Sequence, residues 1–173
     1  GMVYVRGHAR DFDEWDSEGA TGWHYRNVLP YFRKAETWAF GGNDYRGDKG
    51  PLGVNNGNNM QNPLYKAFIR AGSDAGYFET DDYNGTQQEG FGAMHMTVKN
   101  GRRWSTANAY LRPAMERDNL TVVTHALVHK VLLDGKTATG VRYEQGGKVH
   151  EAKAAEEVIL SAGSIGSPHL LQL

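Results

Sequence analysis

The sequence predicts a mixed α/β fold of the α+β kind, in which helices and strands occupy different stretches of the chain. Capped helical patterns dominate up to about residue 117, and β segments joined by glycine turns follow. The final stretch differs again, because a short apolar run, a turn of small residues and a helix start come in succession. We therefore predict a boundary near residue 117, with a mixed segment before it and a β-rich segment that leads into a strand–helix unit after it.

Two helical stretches open the chain. Asp11 is the predicted N-cap of a short amphipathic turn over residues 11–15. Residues 21–36 have apolar side chains at helical spacing. Pro30 lies inside this stretch, and it predicts a kink or a break because proline cannot donate the backbone hydrogen bond of a helix.

A long loop and a clearer helix come next. Residues 41–62 are rich in Gly and Asn, and they predict a loop with a short strand at Leu52–Val54. Asn62 then caps a helix, Pro63 opens it and Gly76 ends it, which is the usual order of these three residue types around a helix.

Residues 91–113 predict a hairpin followed by a short helix. The strand runs over Phe91–Val98 and turns back at Asn100-Gly101, a pair typical of two-residue hairpin loops. Ser105 is the predicted cap of a helix over residues 106–111, and Pro113 limits that helix.

The stretch after residue 117 is rich in β-branched and alternating residues. We predict strands over residues 120–124, 127–133, 138–144 and 148–152. The last three form an antiparallel meander, because Asp134-Gly135 and Gly146-Gly147 separate them as tight turns.

The end of the chain predicts a strand, a turn and a helix. Residues 157–161 form a buried strand, residues 162–167 a small-residue turn, and Pro168 starts a helix that Ser167 caps. Such a turn brings backbone amides against a cofactor or phosphate, or it is an ordinary close-packed crossing, and the residues alone leave both open. Because the apolar helix stops within two turns, we expect a fragment of a longer protein.

The composition excludes several classes of protein. The net charge of −1 gives no electrostatic basis for binding nucleic acid or an anionic membrane, so we predict no nucleic-acid partner. No apolar run reaches the roughly 18 residues of a membrane span. The absence of cysteine excludes disulfides and thiolate metal sites, and it fits a reducing cytoplasm.

Candidate catalytic and metal-binding residues are sparse. The seven histidines occur singly, and we expect them to be solvent or turn residues. His125 and His129 lie about 13 Å apart if both are in one strand, too far for one metal ion. Asp81 and Asp82 are adjacent in a predicted extended loop, so we expect their carboxylates to point apart. No nucleophile elbow, dinucleotide-binding glycine motif or phosphate-binding loop occurs, so we predict neither a metal site nor a catalytic residue.

Two patterns at the ends of the chain resemble the signature segments of the glucose-methanol-choline (GMC) family of FAD-dependent oxidoreductases. G-S-x-x-S-P-x-L-L at residues 163–171 resembles the body of the second signature, and Tyr4, Gly7 and Asp13 match the tail of the first. Interior motifs extend the resemblance over essentially the whole chain, and they are most similar to the bacterial choline dehydrogenases. They are D-F-D-x-W at 11–15, N-P-L at 62–64, D-D-x-N-G at 81–85, Q-E-G-F-G at 88–92, S-T-A-x-A-Y-L at 105–111 and N-L-T-V-V-T-H-A-L at 119–127.

The resemblance implies a cofactor and the residues beside it. Met2 and Val3 would lie next to the flavin, the backbone of Val128 would pair with adenine, and Ala162 and Gly163 would approach the nucleotide part of FAD. Residues 1–20 would be a flavin-proximal segment, residues 21–117 a substrate-side cap, and residues 118–173 part of the FAD domain. No residue here matches the family's catalytic histidine motif, so no catalytic role is carried over.

The resemblance further implies that the parent protein oxidises an alcohol, choline to betaine aldehyde in the first instance, by hydride transfer to FAD. Another GMC enzyme, for a different aliphatic or aromatic alcohol, is the first alternative, and a non-catalytic binding or scaffold module is the second. We expect the isolated piece to be inactive, nearly free of FAD and prone to self-association through exposed apolar edges. The electron acceptor is not specified, and the parent would be cytoplasmic or peripheral at the inner membrane.

Overall fold

Helices α1 (Ala9–Ser17) and α2 (Tyr25–Ala35) open the first of two units, residues 1–118 and 119–173. The structure is a computed structural model that describes residues 1–57 and 61–173. Phe12 of α1 is buried, and its ring lies 5.7 Å from that of Phe32 in α2. Aromatic packing of this kind contributes to stability beyond the area it buries, and it holds the two helices together.

The N-cap of α1 differs from the prediction. The N-cap of α1 is His8, whose ring accepts from the amide of Arg10, and the predicted cap Asp11 instead reaches back to the His8 amide at 2.8 Å. This reciprocal arrangement is a capping box, in which the acidic residue occupies the third helical position. Pro30 lies inside α2 without ending it.

A parallel strand pair follows α2. Strand β1 (Glu36–Trp38) pairs with β2 (Leu52–Val54), which confirms the short strand predicted inside the long loop. The connection packs so tightly against the end of α2 that a Cβ at Gly47 would lie 1.8 Å from the Arg33 carbonyl oxygen. Only glycine fits there. Residues 58–60 of the predicted loop lie outside the described residues.

The next helix follows the prediction closely, and the hairpin does so in part. Helix α3 (Pro63–Asp74) has Asn62 as its N-cap, and Gly76 follows it with φ +86°. Strands β3 (Val98–Lys99) and β4 (Arg102–Arg103) form the hairpin, with positive φ at both turn residues.

The strand predicted over residues 91–98 is mostly absent. Its earlier residues make single bridges to separate segments, as Phe91 does to Glu79 and Met96 does to Val3. A continuous ladder needs one partner strand, and here the partners change from residue to residue.

The helix predicted over residues 106–111 is present in altered form. Residues Ala107–Leu111 form a π-helical turn that runs into α4 (Arg112–Ala114), and Pro113 lies within the first turn of α4. The predicted cap Ser105 is not the N-cap, and Thr106 in that position makes no side-chain cap bond. Pro113 is tolerated because the first turn of a helix needs no amide donor.

The second unit contains the predicted meander. Strands β5 (Ala126–Asp134), β6 (Thr137–Gln145) and β7 (Lys148–Lys153) pair antiparallel in that order. Gly146 and Gly147 both have positive φ, as a two-residue hairpin loop requires. The prediction of a mixed fold with an antiparallel meander is confirmed.

Three predictions in this unit are wrong. Residues 120–124 and 157–161 belong to no strand, since neither segment forms a ladder within the described residues. Helix α5 (Gly163–Leu171) begins earlier than Pro168, with Ala162 as its N-cap. Ser167 therefore lies inside the helix, where its hydroxyl accepts a hydrogen bond from the Ala162 amide at 2.9 Å.

No helix in residues 1–57 and 61–173 is both long enough and apolar enough to cross a membrane.

Candidate functional site

The extended segment from Met2 to Arg6 is held along one edge by residues from the loop before β3. The Met2 carbonyl accepts from the amide of Thr97 at 2.7 Å, and the Tyr4 amide donates to the His95 carbonyl at 2.9 Å. The side chain of Val3 remains half exposed. The predicted flavin-proximal residues Met2 and Val3 therefore combine a fixed backbone with an available apolar surface.

Asn84 continues this edge with its side chain. Its Nδ2 donates to the Tyr4 carbonyl at 3.1 Å, and its Oδ1 accepts from the Arg6 amide at 2.8 Å. One primary amide thus makes the pair of bonds that a peptide group of a neighbouring strand would make. The side chain of Asn84 is buried, and the backbone amide of Asn84 donates to Asp82 Oδ1 at 2.9 Å.

Behind this segment lies a cluster of four charged side chains, the buried Arg6, Glu36 and Arg46 and the partly exposed Asp82. Glu36 Oε1 accepts from Arg6 Nη2 at 2.5 Å and from Arg46 Nε at 2.8 Å, while Oε2 accepts from Arg46 Nη2 at 3.1 Å. Arg46 Nη1 donates to Asp82 Oδ1 at 2.7 Å. We call these four residues the ion cluster.

The ion cluster is formally neutral, with two guanidinium groups and two carboxylates. Glu36 and Arg46 are fully buried, and Arg6 is nearly so. Buried charges are tolerated only when each is paired and its donors and acceptors are satisfied. Glu36 meets this condition with a further bond from the Gly47 amide, and the Arg46 guanidinium lies 4.0 Å from the centre of the Trp38 ring.

His95 lies against the ion cluster and is fully buried. Its Nδ1 is 3.3 Å from Arg46 Nη1 and 3.1 Å from Asn84 Nδ2. Guanidinium and amide nitrogens only donate, so Nδ1 is the acceptor and the proton of the neutral ring is on Nε2. That Nε2 has no hydrogen-bond partner among the described residues.

The electrostatics favour the same neutral form. Burial, followed by the positive charge of Arg46, lowers the pKa of His95 to about 4, against the weaker opposing effect of Asp82 and Glu36. Burial also raises the pKa of Tyr83, whose hydroxyl accepts from the His95 amide at 2.6 Å. At neutral pH the ring of His95 is therefore an uncharged acceptor.

The other predicted cofactor residues belong to the second unit. Val128 lies in β5 opposite Tyr143, next to a break in the strand register. Ala162 and Gly163 form the start of α5, which packs against β5. Gly163 has φ +86°, and a Cβ there would meet no atom within 4 Å.

These arrangements fit parts of a flavin nucleotide. The first amides of a helix lack carbonyl partners and carry a partial positive charge, so the exposed start of α5 suits a phosphate. The half-exposed Val3 suits an apolar ring. The structure thus places Met2 and Val3 in one unit and Val128, Ala162 and Gly163 in the other.

The sequence interpretation missed the ion cluster and the role of His95. His95 was expected to be a solvent or turn residue, and this expectation is wrong because the ring is enclosed between Trp38 and Tyr83. No role was predicted for Asp82 beyond its place in an extended loop, whereas its carboxylate pairs with Arg46. Within the described part of the chain, no group of acidic residues and histidines has the geometry of a metal site.

Comparison with known proteins identifies the family. A family model described as GMC oxidoreductase matches residues 1–173. The chain belongs to the GMC oxidoreductase family. The predicted membership is thereby confirmed.

The chain is similar to a bacterial and a mitochondrial choline dehydrogenase. The chain is 63% identical over its whole length to the oxygen-dependent choline dehydrogenase of Photobacterium profundum, and 53% identical over 99% of its length to the mitochondrial choline dehydrogenase of Mus musculus. It spans 31% and 29% of these two proteins.

Solved structures of GMC-like proteins agree with the fold. Pyridoxine 4-oxidase from Mesorbium loti matches 98% of the chain with a TM-score of 0.83 at 28% identity, and the chain covers 34% of it. An FAD-dependent oxidoreductase from Chaetomium thermophilum matches 99% with a TM-score of 0.85 at 30% identity, and the chain covers 32% of it.

Proposed function

We propose that this chain is part of an FAD-dependent alcohol dehydrogenase that oxidises choline to betaine aldehyde. The observation that carries the proposal is the 63% identity, over the whole chain, to a protein named as a choline dehydrogenase. The parent would act in the cytoplasm, with or without peripheral contact to the inner membrane.

The residues of this chain would bind and orient the cofactor. Met2 and Val3 would lie along the flavin, Val128 would pair its backbone with adenine, and Ala162 and Gly163 would approach the nucleotide part of FAD. When bound, FAD supplies the acceptor for a hydride from the alcohol carbon. No residue of this chain is assigned as the base that removes the hydroxyl proton.

We expect choline to bleach the flavin of the full-length protein within a single anaerobic turnover. Flavin absorbance, followed by stopped flow, measures this directly, and an alkanol and benzyl alcohol serve as comparison substrates. Bleaching by choline alone supports both the reaction and the substrate. A flavin-loaded protein that ignores choline would contradict the substrate, and a parent without flavin would contradict the cofactor.

A second candidate is a GMC enzyme for a different alcohol. The structural similarity to a protein named as pyridoxine 4-oxidase favours keeping this alternative, since a similar fold there belongs to an oxidase named for another alcohol. Bleaching by a comparison alcohol and not by choline would select it.

We expect the 173-residue chain alone to bind FAD weakly or not at all. A dinucleotide-binding glycine motif, which would hold the pyrophosphate, does not occur in its sequence. The measurement is the flavin absorbance of the purified chain after incubation with FAD and gel filtration. A yellow, stoichiometrically loaded chain would show that residues 1–173 contain enough contacts by themselves.

A further inference from the structure

The side chain of Asn84 makes three hydrogen bonds, which use both of its N–H donors and its oxygen. Oδ1 accepts from the Arg6 amide, one N–H of Nδ2 donates to the Tyr4 carbonyl, and the other N–H faces His95 Nδ1 at 3.1 Å. Rotating the amide by half a turn would set its NH2 group against a backbone N–H and its oxygen against a carbonyl. The two backbone partners therefore fix its orientation.

The remaining N–H of Asn84 points to the Nδ1 atom of His95. The His95 ring can accept that bond only through an unprotonated Nδ1, and the nearby Arg46 Nη1 requires the same form. The backbone of His95 contacts the same segment, because its carbonyl accepts from the Tyr4 amide. His95 thus holds the segment directly at one point and through Asn84 at two more.

The ring cannot easily rotate away from this position. It stacks on Tyr83 with centroids 4.3 Å apart, and its centroid lies 4.5 Å from that of Trp38. Its exposed fraction is zero. In a close-packed interior a side chain held on both faces keeps a single rotamer, so its Nδ1 presents a fixed acceptor to Asn84.

We propose that His95 and Asn84 form a positioning pair that sets the backbone of Met2–Arg6, the segment next to the flavin. This inference rests on the proposed function, because Met2 and Val3 are its flavin-proximal residues. A displacement of about 1 Å at such a segment changes reaction rates, since hydride transfer requires close alignment of donor and acceptor. His95 acts through the strand, and it is a positioning residue.

Paired substitutions in the full-length protein distinguish the effect of losing the Nδ1 acceptor from the effect of losing the aromatic ring. His95→Phe keeps an aromatic ring and removes the acceptor, whereas His95→Asn removes the ring and puts an oxygen at the place of Nδ1. Asn84→Asp keeps the acceptor for the Arg6 amide and removes the donor to both His95 and the Tyr4 carbonyl. His150→Phe, at an exposed position in β7, is the matched control.

The first readout is hydrogen–deuterium exchange at the Tyr4 and Arg6 amides. We expect about tenfold faster exchange there in His95→Phe, the change for one lost hydrogen bond, and at least as large a change in Asn84→Asp, which loses two. Exchange in α3 and the β5–β7 meander should be unaffected. Faster exchange throughout residues 1–118, or no change at Tyr4 and Arg6, would overturn the proposal.

The second readout is the rate constant of flavin reduction at saturating alcohol. We expect about tenfold slower reduction in His95→Phe, and recovery to within about threefold of wild type in His95→Asn. Equal rates in these two variants would overturn the proposal. If the wild-type parent holds no flavin, the proposed function fails, while the exchange readout still tests whether the pair fixes the strand. If His95→Phe does not fold, Asn84→Asp and His95→Asn decide.

Discussion

Replacing Glu36 with Gln is expected to lower the free energy of unfolding of the first unit by about 3–5 kcal/mol, the usual cost of breaking a buried ion pair. Glu36 is the only carboxylate within the ion cluster that contacts both guanidinium groups. With Gln in its place, two buried positive charges would share Asp82 alone. The NH2 group of the glutamine side chain would also face the N–H groups that the Glu36 carboxylate now accepts from, so at least one buried donor would lose its acceptor.

Tryptophan fluorescence during urea unfolding measures this effect. All four tryptophans, residues 15, 23, 38 and 104, lie in the first unit of the 173-residue chain. Glu151→Gln is the control, because its pair with Arg142 is about half exposed and should contribute less than about 1 kcal/mol. Equal midpoints for the two variants would refute the assignment of Glu36 as the centre of the cluster.

A second large effect is expected from pH. In the unfolded chain His95 takes up a proton near its ordinary pKa of 6.5, whereas in the folded protein its pKa is about 4. Between these values the unfolded state binds more protons, so stability falls as the pH falls. The contribution is complete above about pH 6.5, and about 3 kcal/mol of it is lost by about pH 4.

The His95→Asn variant isolates this contribution. Four charged groups face the ring, Arg46 and Arg6 with positive charge and Asp82 and Glu36 with negative charge, and all four remain in the variant. Free energies of unfolding at about pH 7 and about pH 4.5 are compared in both proteins. The wild type should lose more than the variant. Parallel losses would mean that the carboxylates alone account for the acid sensitivity.

The features that the sequence predicted are those encoded within a few residues. Asn62 with Pro63 specifies a helix start, and Asn100-Gly101 specifies a hairpin loop, because each acts through its own backbone conformation. The prediction of strands over residues 120–124 and 157–161 is wrong for the opposite reason. An apolar run becomes a strand only where a partner edge is available, and local pattern carries no information about the partner.

The ion cluster could not be predicted in this way. Its bonds join residues that are 10 to 36 positions apart, and each residue taken singly resembles an ordinary surface charge. The burial of His95 likewise depends on Trp38 and Tyr83, which lie in separate segments. Met2, Val3, Val128, Ala162 and Gly163 stay predictions as cofactor contacts, since they rest on the family resemblance.

The use of Asn84 in place of a neighbouring strand has a consequence for the order of folding. The bonds to the backbone of the Met2–Arg6 segment span 78 to 95 positions, so a long loop must close before they form. A ribosome adds about 5–20 residues per second, so Met2–Arg6 wait several seconds for their partners to be synthesised. During that time Val3 and Val5 belong to an unpaired edge, and a chaperone that binds extended apolar segments would find its site in this segment.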